Sequence, residues 1–170
     1  MRVIFRDTVV TIALALVIFF GLHATVQNYI IWEHSMEPTL YEGQRVLVNK
    51  IVYKFHEPER GDVIILQPPA PYAPNGTPFI KRIIGLPGET VEIKNGVVYI
   101  NGSKLSDPYI KEPPNYTFKR ELNDEEYFVL GDNRNSSNDS HTGWTLPRQN
   151  IVAKAWLSIW PLARFGLIAH

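Results

Sequence analysis

A serine and a lysine are the two side chains of this sequence whose settings could support nucleophilic catalysis. Ser35 opens the run Ser-Met-Glu-Pro-Thr-Leu, and Pro38 disfavours the helical conformation at Glu37. The chain is therefore expected to turn sharply just after the serine. A serine hydroxyl is a weak nucleophile and needs a nearby base. The residue types alone leave open that Ser35 only caps a helix or starts a turn.

Lys81 is the candidate base. It is surrounded by Ile80, Ile83 and Ile84, which indicate a largely buried strand. A lysine in such a strand either extends its amine to solvent or becomes neutral, because desolvation lowers its pKa from about 10.4. A neutral lysine can accept the proton of a serine hydroxyl, as Ser-Lys variants of the serine–base arrangement do. The sequence leaves both interpretations open.

A third cluster runs from Gly131 to His141 and is dense in hydroxyls, amides and carboxylates. It is either a long polar turn or a scaffold that positions Lys81. A calcium loop is disfavoured because the Asp/Asn spacing is wrong and the twelfth residue is not glutamate. The chain has no cysteine and its five histidines lack ligand spacing. We therefore expect no metal site and no cofactor.

The elements that must position these residues are mostly strands. After residue 32, short β-branched and apolar runs alternate with turns rich in proline and glycine. The segment 91–100 predicts a hairpin around Asn95-Gly96, a pair that tolerates positive φ at both turn positions. The expected fold class is mainly β, with an antiparallel β-sheet catalytic domain behind one N-terminal transmembrane helix. A smaller β lobe is expected at about 87–130.

An anchor is predicted because Thr8 to Trp32 contain no charged residue, and about 20 apolar residues suffice to cross a bilayer. The predicted organisation is a cytoplasmic segment at 1–7, a single-pass anchor at 8–31 and an extracytoplasmic catalytic domain at 32–170.

Arginines occur before the anchor at Arg2 and Arg6 and next at Arg45, which places the N-terminus in the cytoplasm and the protein in the plasma membrane. A cleaved signal peptide is the competing interpretation, but Leu22-His23-Ala24 is a poor cleavage site. Zero formal net charge gives no indication of a nucleic-acid partner.

Three motifs, in this order behind one apolar segment, resemble bacterial type I signal peptidase. They are Ser-Met-x-Pro-Thr-Leu at 35–40, Lys-Arg-x-x-Gly-x-Pro-Gly-Glu at 81–89 and Gly-Asp-Asn-Arg-x-x-Ser-x-Asp-Ser at 131–140. Arg-Gly-Asp-Val at 60–63 resembles a further motif of that family. The similarity covers residues 30 to 161, and the motifs are specific as an ordered set rather than singly.

The resemblance implies a serine endopeptidase that removes signal peptides of the Ala-x-Ala type from exported preproteins at a lipid bilayer. Ser35 would be the nucleophile and Lys81 the general base, with Ser137 donating or accepting a hydrogen bond that orients the amine. The other residues that the resemblance assigns to the site are Met36, Pro38, Arg82, Asp132 and Asp139.

Within that set, Asp132 and Asp139 would be structural carboxylates, with Arg82 as the partner of Asp132. Met36 and Pro38 would shape the turn and contact substrate. The family fold is mostly antiparallel β.

Two residues depart from the family pattern. His141 stands where arginine is common, which would make its pairing with Asp139 weaker or dependent on pH. Glu33 stands two residues before the serine, where a small residue is usual, and a carboxylate there would oppose an oxyanion unless it faced solvent. A catalytically inactive, membrane-anchored binding module on the same scaffold is therefore the alternative function. A self-cleaving regulator would need a DNA-binding helix-turn-helix, which the apolar N-terminal segment does not offer.

Overall fold

The computed structural model describes residues 2–73 and 76–170, and within the first helix it describes the side chains of residues 6–19, 21 and 25. Within these residues, one helix precedes twelve strands, joined by turns and four short 3₁₀ segments. The elements are α1 (Arg2–Thr25), β1 (Val26–Ile30), β2 (Arg45–Asn49), β3 (Val63–Leu66), β4 (Phe79–Gly85), β5 (Thr90–Lys94), β6 (Val97–Ile100), β7 (Ser103–Lys104), β8 (Phe118–Glu121), β9 (Glu126–Leu130), β10 (Leu146–Pro147), β11 (Ile151–Trp160) and β12 (Gly166–Leu167).

An eight-stranded antiparallel sheet forms the larger part of the domain. Its strands follow the order β1-β2-β11-β3-β4-β9-β10, and β12 adds to β11. Both faces are covered, because alternate residues of β3 enter two different cores. Val63 and Ile65 join a cluster with Met36 and Leu40, whereas Ile64 and Leu66 pack with another set of apolar side chains. The prediction of a mainly antiparallel β fold is confirmed.

A second, four-stranded sheet has the order β7-β6-β5-β8 and lies within the segment predicted as a small lobe. Its central hairpin is the predicted one, since Asn95 and Gly96 have φ angles of 50° and 74° and join β5 to β6. A third core, which includes Val91 and Ile93 of this sheet and Phe128 of β9, joins it to the main sheet. The strand β9 itself pairs with β4 in the main sheet, so the second sheet ends before residue 126.

The N-terminal segment differs from the predicted anchor at its far end. The helix α1 ends at Thr25, and the following Val26–Ile30 forms an edge strand that pairs with β2. Ile31 is fully buried in the main core. A run of uncharged residues is equally compatible with the end of an anchor helix and with a strand that packs on a core. For this reason the prediction from sequence assigned residues 26–31 to the anchor.

None of the helices in the described part of the chain has both the length and the apolar character that crossing a bilayer requires. Met1, the first residue of the predicted cytoplasmic segment, lies outside the described residues.

Candidate active site

A tight turn presents Ser35 just after the first strand. Leu40 donates its backbone N–H to the carbonyl of Met36 at 2.9 Å, and Glu37 donates to the carbonyl of His34 at 3.2 Å. The side chains of Met36 and Leu40 are buried in the main core, which fixes the turn to the sheet. Ser35 is only 3% exposed. Its hydroxyl is therefore held inside the domain by the packing of its neighbours.

Lys81 lies on β4 with its amine directed at that hydroxyl. The Nζ atom donates to Ser35 Oγ at 2.8 Å and to the carbonyl of Ile80 at 3.0 Å. Lys81 is 1% exposed, and its Nζ lies 5.1 Å from the centroid of the Phe79 ring. The amine does not extend to solvent, which removes the alternative that the sequence left open.

Burial is the main influence on the amine's protonation. It lowers the pKa of Lys81 from 10.5 to about 8, because the charged form loses its hydration inside the domain. The carboxylates of Asp139, Glu33 and Asp132 act in the opposite direction, in that order of strength. Desolvation outweighs them, so a substantial fraction of the amine is neutral slightly above neutral pH.

The residue after the lysine forms a buried ion pair. Arg82 donates from Nε to Asp132 Oδ1 and from Nη2 to Asp132 Oδ2, each at 2.8 Å, and neither side chain is exposed. Its remaining Nη1 donates to the carbonyls of Gly61 at 2.7 Å and Ala169 at 2.8 Å. Thr39 donates its hydroxyl to Asp132 Oδ2 at 2.5 Å. The pair thus joins β4, the serine turn and the polar loop that follows β9.

That polar loop also holds the serine turn through its backbone. Asn133 donates its N–H to the carbonyl of Ser35 at 3.0 Å and its side-chain amide to the carbonyl of His34 at 3.2 Å. Gly131 lies so close to Ser35 and Ser137 that a Cβ at this position would collide with the Ser35 carbonyl and the Ser137 hydroxyl. A glycine is therefore required for the loop to approach Ser35 this closely.

Asp139 organises the rest of the loop. Its fully buried carboxylate accepts the N–H of Gly131 at 2.9 Å and lies 2.7 Å from Nδ1 of His141. The hydrogen bond expected between Ser137 and the Lys81 amine is not formed. The Ser137 hydroxyl is buried and has no hydrogen-bond partner among the described residues.

The other predicted residues lie close together. Met36 and Pro38 were both expected to shape the turn and contact substrate. Met36 packs wholly in the core, so it supports the turn from beneath, whereas Pro38 is half-buried beside it. Three further residues of the site were missed, although each lies in a motif that the sequence singled out. They are Thr39, Gly131 and Asn133. Their contacts run mainly through backbone groups, with a hydroxyl from Thr39 and a side-chain amide from Asn133, and residue type alone does not indicate such contacts.

No group of three or more His, Asp and Glu side chains in the described ranges is arranged to hold a metal ion.

Comparison with known proteins gives a consistent picture. The family model described as "Signal peptidase, peptidase S26" matches residues 5–160. A probable signal peptidase I-1 from a Synechocystis species is 43% identical over 160 residues, covering 91% of this chain and 81% of that protein. A signal peptidase I from Leptolyngbya laminosa is 43% identical over 162 residues, covering 92% and 80%.

A solved structure is also similar. The crystal structure of a signal peptidase I from Enterococcus faecalis V583 superposes with a TM-score of 0.51 at 32% sequence identity. The match covers 58% of this chain and 97% of that chain.

Proposed function

Because the chain belongs to the signal peptidase family, peptidase S26, we propose that Ser35 and Lys81 are the nucleophile and general base of its serine-hydrolase activity. The observation that carries this proposal is the 2.8 Å hydrogen bond between Lys81 Nζ and Ser35 Oγ inside the domain. The inactive-module alternative rested on Glu33. That residue is exposed and leaves the serine–lysine contact intact.

The proposed chemistry is acyl transfer to the serine. Neutral Lys81 accepts the hydroxyl proton as Ser35 Oγ bonds to the carbonyl carbon of the scissile peptide. Collapse of the tetrahedral intermediate breaks the C–N bond, and the lysine proton passes to the leaving amine. Water then attacks the acyl-enzyme with Lys81 again as base, which releases the carboxylate product and restores the hydroxyl.

The oxyanion needs donors that are free in the resting protein. Within residues 2–73 and 76–170, no hydrogen bond uses the N–H of Ser35, which supports a role as one such donor. The exposure of Glu33 allows its carboxylate to face solvent rather than the oxyanion.

The substrate is proposed to be a signal peptide bound as an extended strand. Pairing of β9 with β4 begins at Arg82, so β4 residues 79–81 keep one edge without a strand partner in the described part of the sheet. An extended peptide can add to such an edge by main-chain hydrogen bonds. Alternate side chains of a strand face the same way, which suits small residues at the first and third positions before the cut.

Cleavage of a model peptide tests this function directly. We test a peptide that has alanine at the first and third positions before the expected cut. In detergent, the full chain should cleave it at a single bond, directly after the second of these alanines, as measured by mass spectrometry. The same peptide with phenylalanine at the first position before the cut is the matched control, and its kcat/KM should be at least about 100-fold lower because a bulky side chain must displace packed atoms. Equal cleavage of both peptides, or none of either, would contradict the proposal.

The rate should depend on pH through the lysine. A protonated amine cannot accept the serine proton, so kcat/KM should rise with pH and reach half of its plateau near pH 8, where Lys81 titrates. Glu33 raises the pKa of Lys81, so Glu33→Gln should move this midpoint to lower pH, by about 0.3 pH units for a screened, exposed charge. The control is Glu42→Gln, an equal charge change at another exposed glutamate. Equal midpoints in the two variants would contradict this role of Glu33.

Membrane attachment through α1 is a further part of the proposal. The described apolar side chains from Val9 to Phe19 are exposed, with Val17 at 70%. Such a surface is costly in water and favourable in lipid. Arg2 and Arg6 favour an orientation with the N-terminus in the cytoplasm. We expect the full chain to float with liposomes, and Val17→Glu to weaken flotation; recovery of the wild-type protein only in the soluble fraction would refute attachment.

A further inference from the structure

A tyrosine from outside the three motifs completes a line of side chains behind the active site. The Tyr116 ring stacks on the His141 imidazole with centroids 4.1 Å apart and planes 18° from parallel. His141 Nδ1 lies 2.7 Å from Asp139 Oδ1, and Asp139 Oδ2 accepts the N–H of Gly131 at 2.9 Å. The imidazole is therefore held between an aromatic ring and a fully buried carboxylate.

The tyrosine belongs to the segment that leads into the second sheet. It lies two residues before the start of β8, and the backbone beside it is hydrogen-bonded to the polar loop. Asn135 accepts the N–H of Asn115 at 2.9 Å and donates to the carbonyl of Pro113 at 3.0 Å. The second sheet and the polar loop are thus joined by the Asn135 hydrogen bonds and by the stacked pair.

These contacts lead on to both proposed catalytic residues, to Ser35 by packing and to Lys81 by charge. Gly131 is packed against the Ser35 carbonyl, so a shift of the carboxylate that holds Gly131 would be transmitted to the nucleophile. Electrostatically, the negative charge of Asp139 is the strongest of the influences that raise the pKa of Lys81. Any positive charge beside Asp139 would reduce that influence.

On these grounds we propose that Tyr116 and His141 are positioning residues for the hydrolase: the stacked pair holds Asp139, which in turn holds Gly131 against the Ser35 carbonyl, and a charge at position 141 acts on Lys81 through Asp139. This inference rests on the proposed Ser35–Lys81 function.

Other charged residues also lie near the stacked pair. Arg134 and Asp107, which form a buried ion pair, both influence the Tyr116 hydroxyl, whose pKa is raised mainly by burial. Arg120 of β8 donates to the carbonyl of Gly143, two residues beyond the imidazole. Asp139 is the group that lies in hydrogen-bonding contact with His141.

A permanent charge at position 141 provides the first test. His141→Arg places a fixed positive charge beside Asp139, so the midpoint of the kcat/KM pH profile should move to lower pH by about 0.5 pH units. His56→Arg makes the same charge change at an exposed histidine and is the matched control. A midpoint for His141→Arg that equals the control would overturn the electrostatic part of the proposal.

The tyrosine is tested by a pair of variants. Tyr116→Phe keeps the ring and should retain kcat within about threefold. Tyr116→Ala removes the stack and should lower kcat at least about tenfold with a much smaller change in KM, because misplacing catalytic groups costs rate rather than binding. Equal kcat in the two variants would overturn the positioning role.

A measurement without turnover separates this inference from the proposed function. Coupling between two sites is reciprocal. Removal of the Lys81 charge by Lys81→Met should therefore change the NMR chemical shifts of the His141 ring at constant pH. Unchanged shifts would overturn the inference even if the serine and lysine are catalytic. Conversely, an active Lys81→Met enzyme would reject the proposed function, whatever the NMR result.

Discussion

Replacing Lys81 by methionine should lower kcat/KM for the alanine-containing peptide by at least about 10³-fold. Methionine nearly matches the length of the lysine side chain but has no group that can accept the proton of Ser35. In the structure the amine donates to the Ser35 hydroxyl. Among the described residues, no other titratable side chain is hydrogen-bonded to that hydroxyl. Steady-state kinetics on the purified variants measures the loss.

The same substitution should stabilise the fold. Unfolded, the amine titrates near 10.5, but in the folded protein its pKa is about 8. Below pH 8 the amine is charged in both states, and the folded state bears the full cost of a buried charge, about 3 kcal/mol. This cost shrinks as pH rises from 8 towards 10.5 and is absent above 10.5, where both states are neutral. Lys81→Met should raise the free energy of unfolding by about 1–3 kcal/mol at pH 7, and the gain should vanish near pH 10.5.

Two comparisons make this prediction specific. Ser35→Ala, Lys81→Met and the double variant should fall to the same residual activity, because groups that act as one unit are not additive. Lys94→Met, at a strand lysine with an exposed amine, should leave both activity and stability nearly unchanged. An active Lys81→Met enzyme, or additive losses in the double variant, would show that another group is the base.

Lys81 shows how much the local sequence pattern can predict about a site residue. The isoleucines around it indicated a buried strand, and the structure places all of Ile80–Ile84 in the interior. The sequence could therefore predict that the amine was desolvated or extended to solvent. It could not decide between these outcomes, because the decision depends on whether Ser35, 46 positions away, lies within reach.

Contacts between distant backbone groups were the part that the sequence did not predict. The Asn133 N–H bonds the carbonyl of Ser35, and Gly131 leaves room for that approach. Neither contact has a local signature, since any residue carries the same backbone groups. The stack of Tyr116 on His141 was not predicted either, because the two residues are far apart in the sequence and no local pattern joins them.

The hydrogen bond predicted between Ser137 and the Lys81 amine is absent for a related reason. The amine instead satisfies its donors with Ser35 and with the carbonyl of Ile80, its own neighbour on β4. A motif predicts which side chains come close, and Ser137 does lie beside Gly131. The partner that each donor finally selects depends on atomic positions that a motif does not contain.

Asp132→Ala should destabilise the protein by about 3–5 kcal/mol, the largest stability loss that we expect from a single substitution at this site. The change leaves the Arg82 guanidinium buried without its carboxylate. It also removes the acceptor of the Thr39 hydroxyl. Because Thr39 lies in the serine turn, we expect activity to fall together with stability. Urea unfolding monitored by tryptophan fluorescence measures the loss.

An exposed pair on the same domain provides the control. Arg148 donates to Glu57 at 3.0 Å, but the glutamate side chain is 81% exposed, so Glu57→Ala should cost no more than about 1 kcal/mol. A double variant that replaces the buried pair by apolar residues, Arg82→Met with Asp132→Leu, should recover part of the stability lost in Asp132→Ala, because no unpaired charge remains inside. If Asp132→Ala costs no more than Glu57→Ala, the buried pair does not hold β4, the serine turn and the polar loop together, and the rigidity of the site must have another source.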